Sequence, residues 1–195
     1  RELSQGDALG LAVAVSGDTV LVGTRYDDQQ ATSAGAVYVF VRREGVWAEE
    51  EKLVAPDAAA YDGFGSAVAL RGELALVGSP DDDDAGDRSG SAYLFARDAG
   101  YWSLVRKVTP DDLAAGDRFG AAVAVSREVA LVGSPGDDDL GTDSGSAYVF
   151  AEAGGVWVES QKLTPPEVSA HGYKFGEAVA LAGDTAVVGA PDGDG

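Results

Sequence analysis

An all-β chain of repeated four-stranded antiparallel sheets is predicted by three observations on this sequence. The same landmarks recur at a fixed interval. Short runs that alternate Val or Leu with Ala are closed by glycines. Four such runs fit into each interval. The interval is set by five landmarks: Leu9-Gly10, Phe64-Gly65, Phe119-Gly120 and Phe175-Gly176 fall 55, 55 and 56 residues apart, and Gly23, Gly78, Gly133 and Gly189 keep the same steps. Tyr38, Tyr93 and Tyr148 recur every 55 residues, as do Trp47, Trp102 and Trp157. Self-similarity at this period is the mark of a repeat architecture.

The first strand of each unit reads "LAVAV", "SAVAL", "AAVAV" or "EAVAL". Small alanines alternating with larger aliphatics suit an inner strand packed closely on both faces. A two-residue turn follows at Gly17-Asp18, Gly72-Glu73 and Gly183-Asp184, a strong hairpin signal; the third copy has Arg127-Glu128 instead. The second strand reads "TVLVG", "LALVG", "VALVG" or "TAVVG", and the third "GAVYVF", "GSAYLF" or "GSAYVF". The fourth starts at the Trp and ends at Lys52-Leu53, Lys107-Val108 or Lys162-Leu163. The unit boundaries fall at 4–56, 57–111, 112–166 and an incomplete 167–195.

A lone four-stranded sheet cannot bury both faces, so neighbouring units must cover one another, with the Phe and Tyr rings between them. Four antiparallel strands in each unit of this length describe the blades of a β-propeller. A β-solenoid or open sandwich is the alternative, but solenoid coils are typically shorter.

Composition agrees. The chain of 195 residues is 45% apolar, which excludes disorder despite a net charge of −19. That charge argues against nucleic acid or an anionic membrane surface as direct partner. No apolar run approaches the ~20 residues of a membrane span, so membrane insertion is not expected. With no Cys there is no disulfide framework or thiolate site. The absence of Met and the start at Arg1 suggest a processed or excised piece.

The runs "FGSAVAL…ALVGSP", "FGAAVAV…ALVGSP" and "FGEAVAL…AVVGAP" resemble the FG-GAP repeat of the integrin α-subunit propeller and its bacterial relatives. The first copy departs twice, with "LG" for "FG" and "GTR" for "GAP". The resemblance implies a propeller, commonly seven-bladed, used outside the cell for binding or adhesion. A secreted, cell-surface or periplasmic location follows as an expectation. In integrins calcium sits in a D-x-D-x-D-G-x-x-D loop between strands one and two. This chain has only Ser16-Gly17-Asp18-Thr19 and its equivalents there, so that site does not transfer.

The acids lie elsewhere. In an up-down-up-down sheet, the loop from strand two to three opens on the same face as the connection to the next blade. The two-to-three loops hold Asp27 and Asp28, then Asp81, Asp82, Asp83, Asp84 and Asp87, then Asp137, Asp138, Asp139 and Asp143, then Asp192 and Asp194. The connections add Asp7, Asp57, Asp62, Asp111, Asp112, Asp117 and Glu167. Most of the net charge is therefore expected on one face.

Two readings of these loops compete. In one they are solvated and keep blade edges from pairing. In the other they hold Ca²⁺, which takes six to eight oxygens at about 2.3–2.6 Å. Asp81 with Asp83, Asp82 with Asp84, and Asp137 with Asp139 are then the converging pairs. Asp138 belongs to the same run, and Asp87 and Asp143 close the loops from the far side. Asp7, Asp62 and Asp117, just before the Phe-Gly pairs, are expected to accept backbone N–H bonds where the strand starts.

No chemistry is expected of the chain. His171 stands alone in a connection, and no serine sits on a G-x-S-x-G elbow. Consecutive aspartates in a loop lack the fixed separation that glycoside hydrolysis needs. The periodic tryptophans suit a structural role better than sugar stacking. Tyr26, Tyr61 and Tyr101 do not repeat, and Tyr26 and Tyr61 fall on the acidic face as candidates for ligand contact. The expected function is a non-catalytic binding module with a protein or glycan ligand. An accessory domain of a larger exported enzyme and a lectin are the alternatives. The fourth unit stops after its second strand, so the remaining blades are expected from a longer chain or from another copy.

Overall fold

In a computed structural model the described residues are 6–166, 172–183 and 185–191. Glu167, His171, Asp184, Asp192 and Asp194 lie outside them. The first sheet holds β1 (Val13–Ser16), β2 (Thr19–Thr24), β3 (Ala36–Arg43) and β4 (Val46–Leu53). The second holds β5 (Ala67–Arg71), β6 (Leu74–Ser79), β7 (Ser91–Asp98) and β8 (Tyr101–Val108). The third holds β9 (Ala122–Val125), β10 (Val129–Ser134), β11 (Ser146–Ala153) and β12 (Val156–Leu163), and a two-stranded sheet follows with β13 (Ala178–Ala182) and β14 (Thr185–Gly189).

Each sheet is a meander whose strands pair antiparallel in chain order. These are the four-stranded blades of a propeller. Among the described residues no helix is long and apolar enough to cross a membrane.

The two-residue turns form where expected, with Gly17 and Gly72 at φ 59° and 60°. The third copy closes its turn without glycine. Ser126 Oγ accepts the Val129 N–H at 3.1 Å, and the Ser126 N–H donates to the Val129 carbonyl at 2.7 Å. A side chain there replaces a backbone conformation.

One expectation needs correction. The first strand is expected to be packed on both faces, but Val13 and Val15 of β1 are 65% and 67% exposed and β5 is only half-buried from Ala67 to Leu70. The strand buried on both faces is the second: Ala75, Leu76 and Val77 are fully buried, as are Ala130, Leu131 and Val132. Each first strand is the edge of its sheet, paired with a strand on one side only, and the first strands of successive sheets adjoin one another. β6 and β10 have a sheet on either side.

The repeat's signature is explained at the junction between blades. Phe64 forms a parallel bridge to Gly35 of the first sheet, while its ring meets Tyr93 and Phe95 of the second edge-on, at 5.3 and 6.1 Å. Phe119 repeats this with Gly90, Tyr148 and Phe150, at 5.6 and 6.0 Å. The backbone belongs to one blade and the ring to the next. The glycines allow the approach: a Cβ on Gly78 would sit inside the Gly120 carbonyl oxygen, and one on Gly133 inside that of Gly176. Only glycine lets two backbones lie this close.

Trp102 and Trp157 are buried, at 7% and 4% exposure, as a structural role requires. Trp102 joins the core shared by the first and second sheets, and its backbone N–H donates to Glu51 of β4. Trp47 differs. It is 43% exposed, with the Arg42 guanidinium 5.4 Å above its ring.

Candidate functional site

The acidic face is assembled as the up-down order demands. The Asp81 N–H in the β6–β7 loop donates to the carbonyl of Asp62 in the β4–β5 connection, and the Gly116 N–H of the next connection donates to the Asp87 carbonyl. Two-to-three loops and blade connections are thus interleaved.

Each two-to-three loop begins with the same turn. Asp27 Oδ1 accepts the Gln29 N–H, Asp82 Oδ1 the Asp84 N–H, and Asp137 Oδ1 the Asp139 N–H, at 3.0–3.1 Å. The turn leaves each Oδ2 facing the end of the fourth strand, where a lysine waits. Lys107 Nζ lies 2.8 Å from Asp57, 2.8 Å from Asp82 and 2.7 Å from Asp84. Lys162 Nζ lies 2.7 Å from Asp112, 2.7 Å from Asp137 and 2.6 Å from Asp139. Lys52 reaches Asp27 at 2.6 Å and Gln29 Oε1 at 2.8 Å. The Tyr93 hydroxyl is 2.9 Å from Asp57 and 3.0 Å from Asp82; the Tyr148 hydroxyl is 3.0 Å from Asp112 and 2.7 Å from Asp137.

The electrostatics follow from burial and these bonds. Burial alone would raise the Asp82 and Asp137 carboxyls; hydrogen bonds from Lys107 with Ser91, and from Lys162 with Tyr148, outweigh it and hold both below their ordinary value. Burial alone would lower the ammoniums of Lys107 and Lys162, but three carboxylates each raise them well above it. Burial, then the charge of Asp27, pushes Tyr38 up to about 12.

The nine aspartates expected to hold calcium divide by environment. Asp82, Asp84, Asp137 and Asp139 converge in pairs, but on a lysine. Asp81 pairs with Arg25. Asp138 accepts the Asp143 N–H at 2.7 Å, and the Asp143 carbonyl accepts the Lys174 N–H at 2.9 Å. Asp83 and Asp87 are exposed and line a cavity. Carboxylate oxygens of Asp112, Asp137 and Asp139 lie within 4.8 Å of one another, so an acidic cluster is present. A calcium ion at its centre would have to occupy the position of the Lys162 ammonium. The residues as they stand do not fit it.

Asp62 and Asp117 accept N–H bonds as expected, though from three residues back in the connection rather than from the strand: Ala59 N–H at 2.7 Å and Ala114 N–H at 2.8 Å. Their backbone carbonyls take the Ser79 and Ser134 hydroxyls, both at 2.9 Å, and that of Asp7 takes Thr24. Burial pushes the carboxyls of Asp62 and Asp117 up to about 6.

The cavity, about 580 Å³, opens on this face across the loops of the first three sheets. Tyr26 and Arg25 line it from just after β2, Tyr61 from the β4–β5 connection, and Arg118 from just before β9. Asp81, Asp83, Asp87 and Arg88 line it from the β6–β7 loop. Tyr26 and Tyr61 are 45% and 67% exposed. Asp83, Asp87, Arg88 and Arg118 make no side-chain bond among the described residues, whereas Asp28 and Asp138, the counterparts of Asp83, each accept a loop N–H.

Tyr61 stands out by its backbone. Its φ is 73°, and the equivalent positions in neighbouring copies are Gly6 and Gly116, at φ 113° and 94°. Left-handed backbone at a bulky residue is a genuine outlier. Ser33, Arg88 and Asp143 also share a repeated positive φ, but there every copy carries a side chain, whereas at 6, 61 and 116 only Tyr61 does.

The lysines are what sequence reasoning missed. It took them as strand ends, although they recur at the same interval as the tyrosines. Asp57 and Asp112 were only surface charge in that reading. A charge repeated in step with buried aromatics is the signal that would have found them.

These blades, with a loop face carrying a cavity, define a repeat protein of the propeller class. The FG-GAP repeat matches residues 2–40, 47–95, 102–150 and 157–195, and the chain belongs to that family. The matched units run across the sheets: 47–95 takes in the fourth strand of one blade and three strands of the next. No curated protein matches the chain.

Proposed function

We propose that this chain is a non-catalytic binding module of an exported or cell-surface protein, and that its ligand sits in the cavity between Tyr26, Tyr61, Arg88 and Arg118. The observation that carries this is Tyr61, a tyrosine kept in backbone that its neighbouring copies give to glycine. Strain of this kind costs on the order of 1–3 kcal/mol and concentrates at ligand sites. Arg25 and Tyr26 support it, standing where the second copy has Pro80 and Asp81. Arg25, Tyr26, Tyr61 and Arg88 of the cavity lining are residues that the repeat does not require.

Its chemistry favours a glycan over a flat protein surface. Exposed tyrosine rings offer platforms for sugar C–H faces, and carboxylates and guanidiniums without partners offer bonds to hydroxyls. Four of the nine aspartates expected to take Ca²⁺ hold lysines and one pairs with arginine, so recognition is assigned to the cavity and not to a metal. Adhesion, or attachment of a larger exported enzyme to its substrate, would both use this surface.

The test is titration of the ¹⁵N-labelled chain with a panel of neutral and acidic oligosaccharides, followed by amide shifts. The expected result is saturable shifts at residues 25–33, 60–63 and 83–88. Shifts confined to the opposite face, at the turns 16–19 and 71–74, would overturn the assignment.

A further inference from the structure

We propose that Lys107 and Lys162 are tethered cations: each ammonium fills the place in an aspartate cage that a divalent ion would take, and orders the acidic loops without metal. The inference is independent of what the cavity binds.

The donor count carries it first. An ammonium has three N–H donors, and the Lys107 and Lys162 ammoniums each meet three carboxylates at 2.6–2.8 Å. The head group is saturated. The second observation is aromatic. Lys107 Nζ lies 5.3 Å from the centroid of Tyr93, and Lys162 Nζ 5.1 Å from that of Tyr148. A ring face attracts an ammonium, whereas Ca²⁺ takes oxygen ligands around it. The cage is therefore shaped for the ion it holds.

The third observation is recurrence. Each lysine finds its partners 50, 25 and 23 residues away in sequence, identically in both copies. The partners come from two loops. Asp82 and Asp84 belong to the β6–β7 loop, and Asp57 to the connection from the preceding blade. One ammonium thus ties a blade's outer strand, its own loop and the incoming connection together. The first copy varies in a consistent way. Lys52 and Asp27 are nearly fully buried, and Gln29 replaces the outer carboxylate. Excess negative charge is kept where water reaches it, as in Asp84 and Asp139.

A tethered ion differs from a bound one in mass action. Its local concentration is fixed by the chain and does not follow the medium.

The test is the thermal midpoint of the whole chain in Ca²⁺, Mg²⁺ or EDTA at constant ionic strength. The expected midpoints agree to within about 1 °C; a Ca²⁺-specific rise of about 5 °C or more would overturn the proposal. Lys107→Met and Lys162→Met then open the cages. Each is expected to lose roughly 5 °C or more in EDTA, to recover in Ca²⁺, and to gain tyrosine-sensitised Tb³⁺ luminescence about tenfold over the parent. Variants that fold with unchanged midpoint and no Tb³⁺ signal would also overturn it. If a variant fails to fold, the metal comparison on the parent chain still decides.

Discussion

The second and third sheets are near copies, while the loops over the junction of the first and second break the repeat. Lys107 and Lys162 have matching partners, Phe119 reproduces the ring contacts of Phe64, and Asp117 repeats the bond of Asp62. Around the first junction Arg25, Tyr26, Gln29 and Tyr61 stand where other copies place Pro, Asp or Gly, Asp, and Gly. The lesson is a division of labour. Residues that repeat hold blade to blade, and Arg25, Tyr26 and Tyr61, which break the repeat, line the cavity.

The sharpest way to break that comparison is at its shared part. Phe119→Ala removes a fully buried ring from between two sheets and is expected to cost about 3–5 kcal/mol in denaturant unfolding. Phe64→Ala should cost nearly the same. A marked difference between the two would mean that the junctions are not equivalent.

Gly78→Ala drives a methyl group into the Gly120 backbone and should cost about 1–3 kcal/mol or more. Gly45→Ala, in open space, carries only the cost of its positive φ of 82° and should lose less. Equal losses would remove the close-approach explanation of the signature glycines.

pH separates the two kinds of buried aspartate. Asp62 and Asp117 titrate near 6 in the folded chain, against an ordinary value of 3.8. Between those values the folded state holds more protons than the unfolded one, so their contribution to stability falls as pH rises through that window. Asp82 and Asp137 act in reverse. Held below 3.8, they contribute fully above that value and lose the contribution as pH falls further. The unfolding midpoint is expected to rise on acidification from pH about 7 to about 4.5, then drop below pH about 3.5. Asp62→Asn combined with Asp117→Asn should abolish most of the rise. A rise of undiminished size in that variant would assign it to general charge relief instead.

The smallest effect tests the irregular part. Tyr61→Gly relieves left-handed backbone and should raise stability, by about 1 kcal/mol at most once glycine's added chain entropy is counted. Ligand shifts in the cavity should disappear in the same variant. A loss of stability with binding retained would make Tyr61 a packing residue.

Much of this was legible in the sequence because each blade is a local object. The 55-residue interval, the glycine turns and the alternation of apolar residues are properties of contiguous chain, and they fix strands, pairing and the face on which loops emerge. Tyr26 and Tyr61 could be singled out because they break a pattern visible in one dimension. The position of Trp47 could not be read the same way. It shares its motif with Trp102 and Trp157, and only what covers it differs.

Sequence alone settled a repeated all-β chain, its family and the gathering of its aspartates on one face. Tertiary structure alone decided what those aspartates do. Lys107 and Asp57 are fifty positions apart and meet only when one blade docks on the connection from the last. Whether a carboxylate meets an ammonium, an arginine or open water depends on distances of a few ångströms between segments that no spacing along the chain encodes.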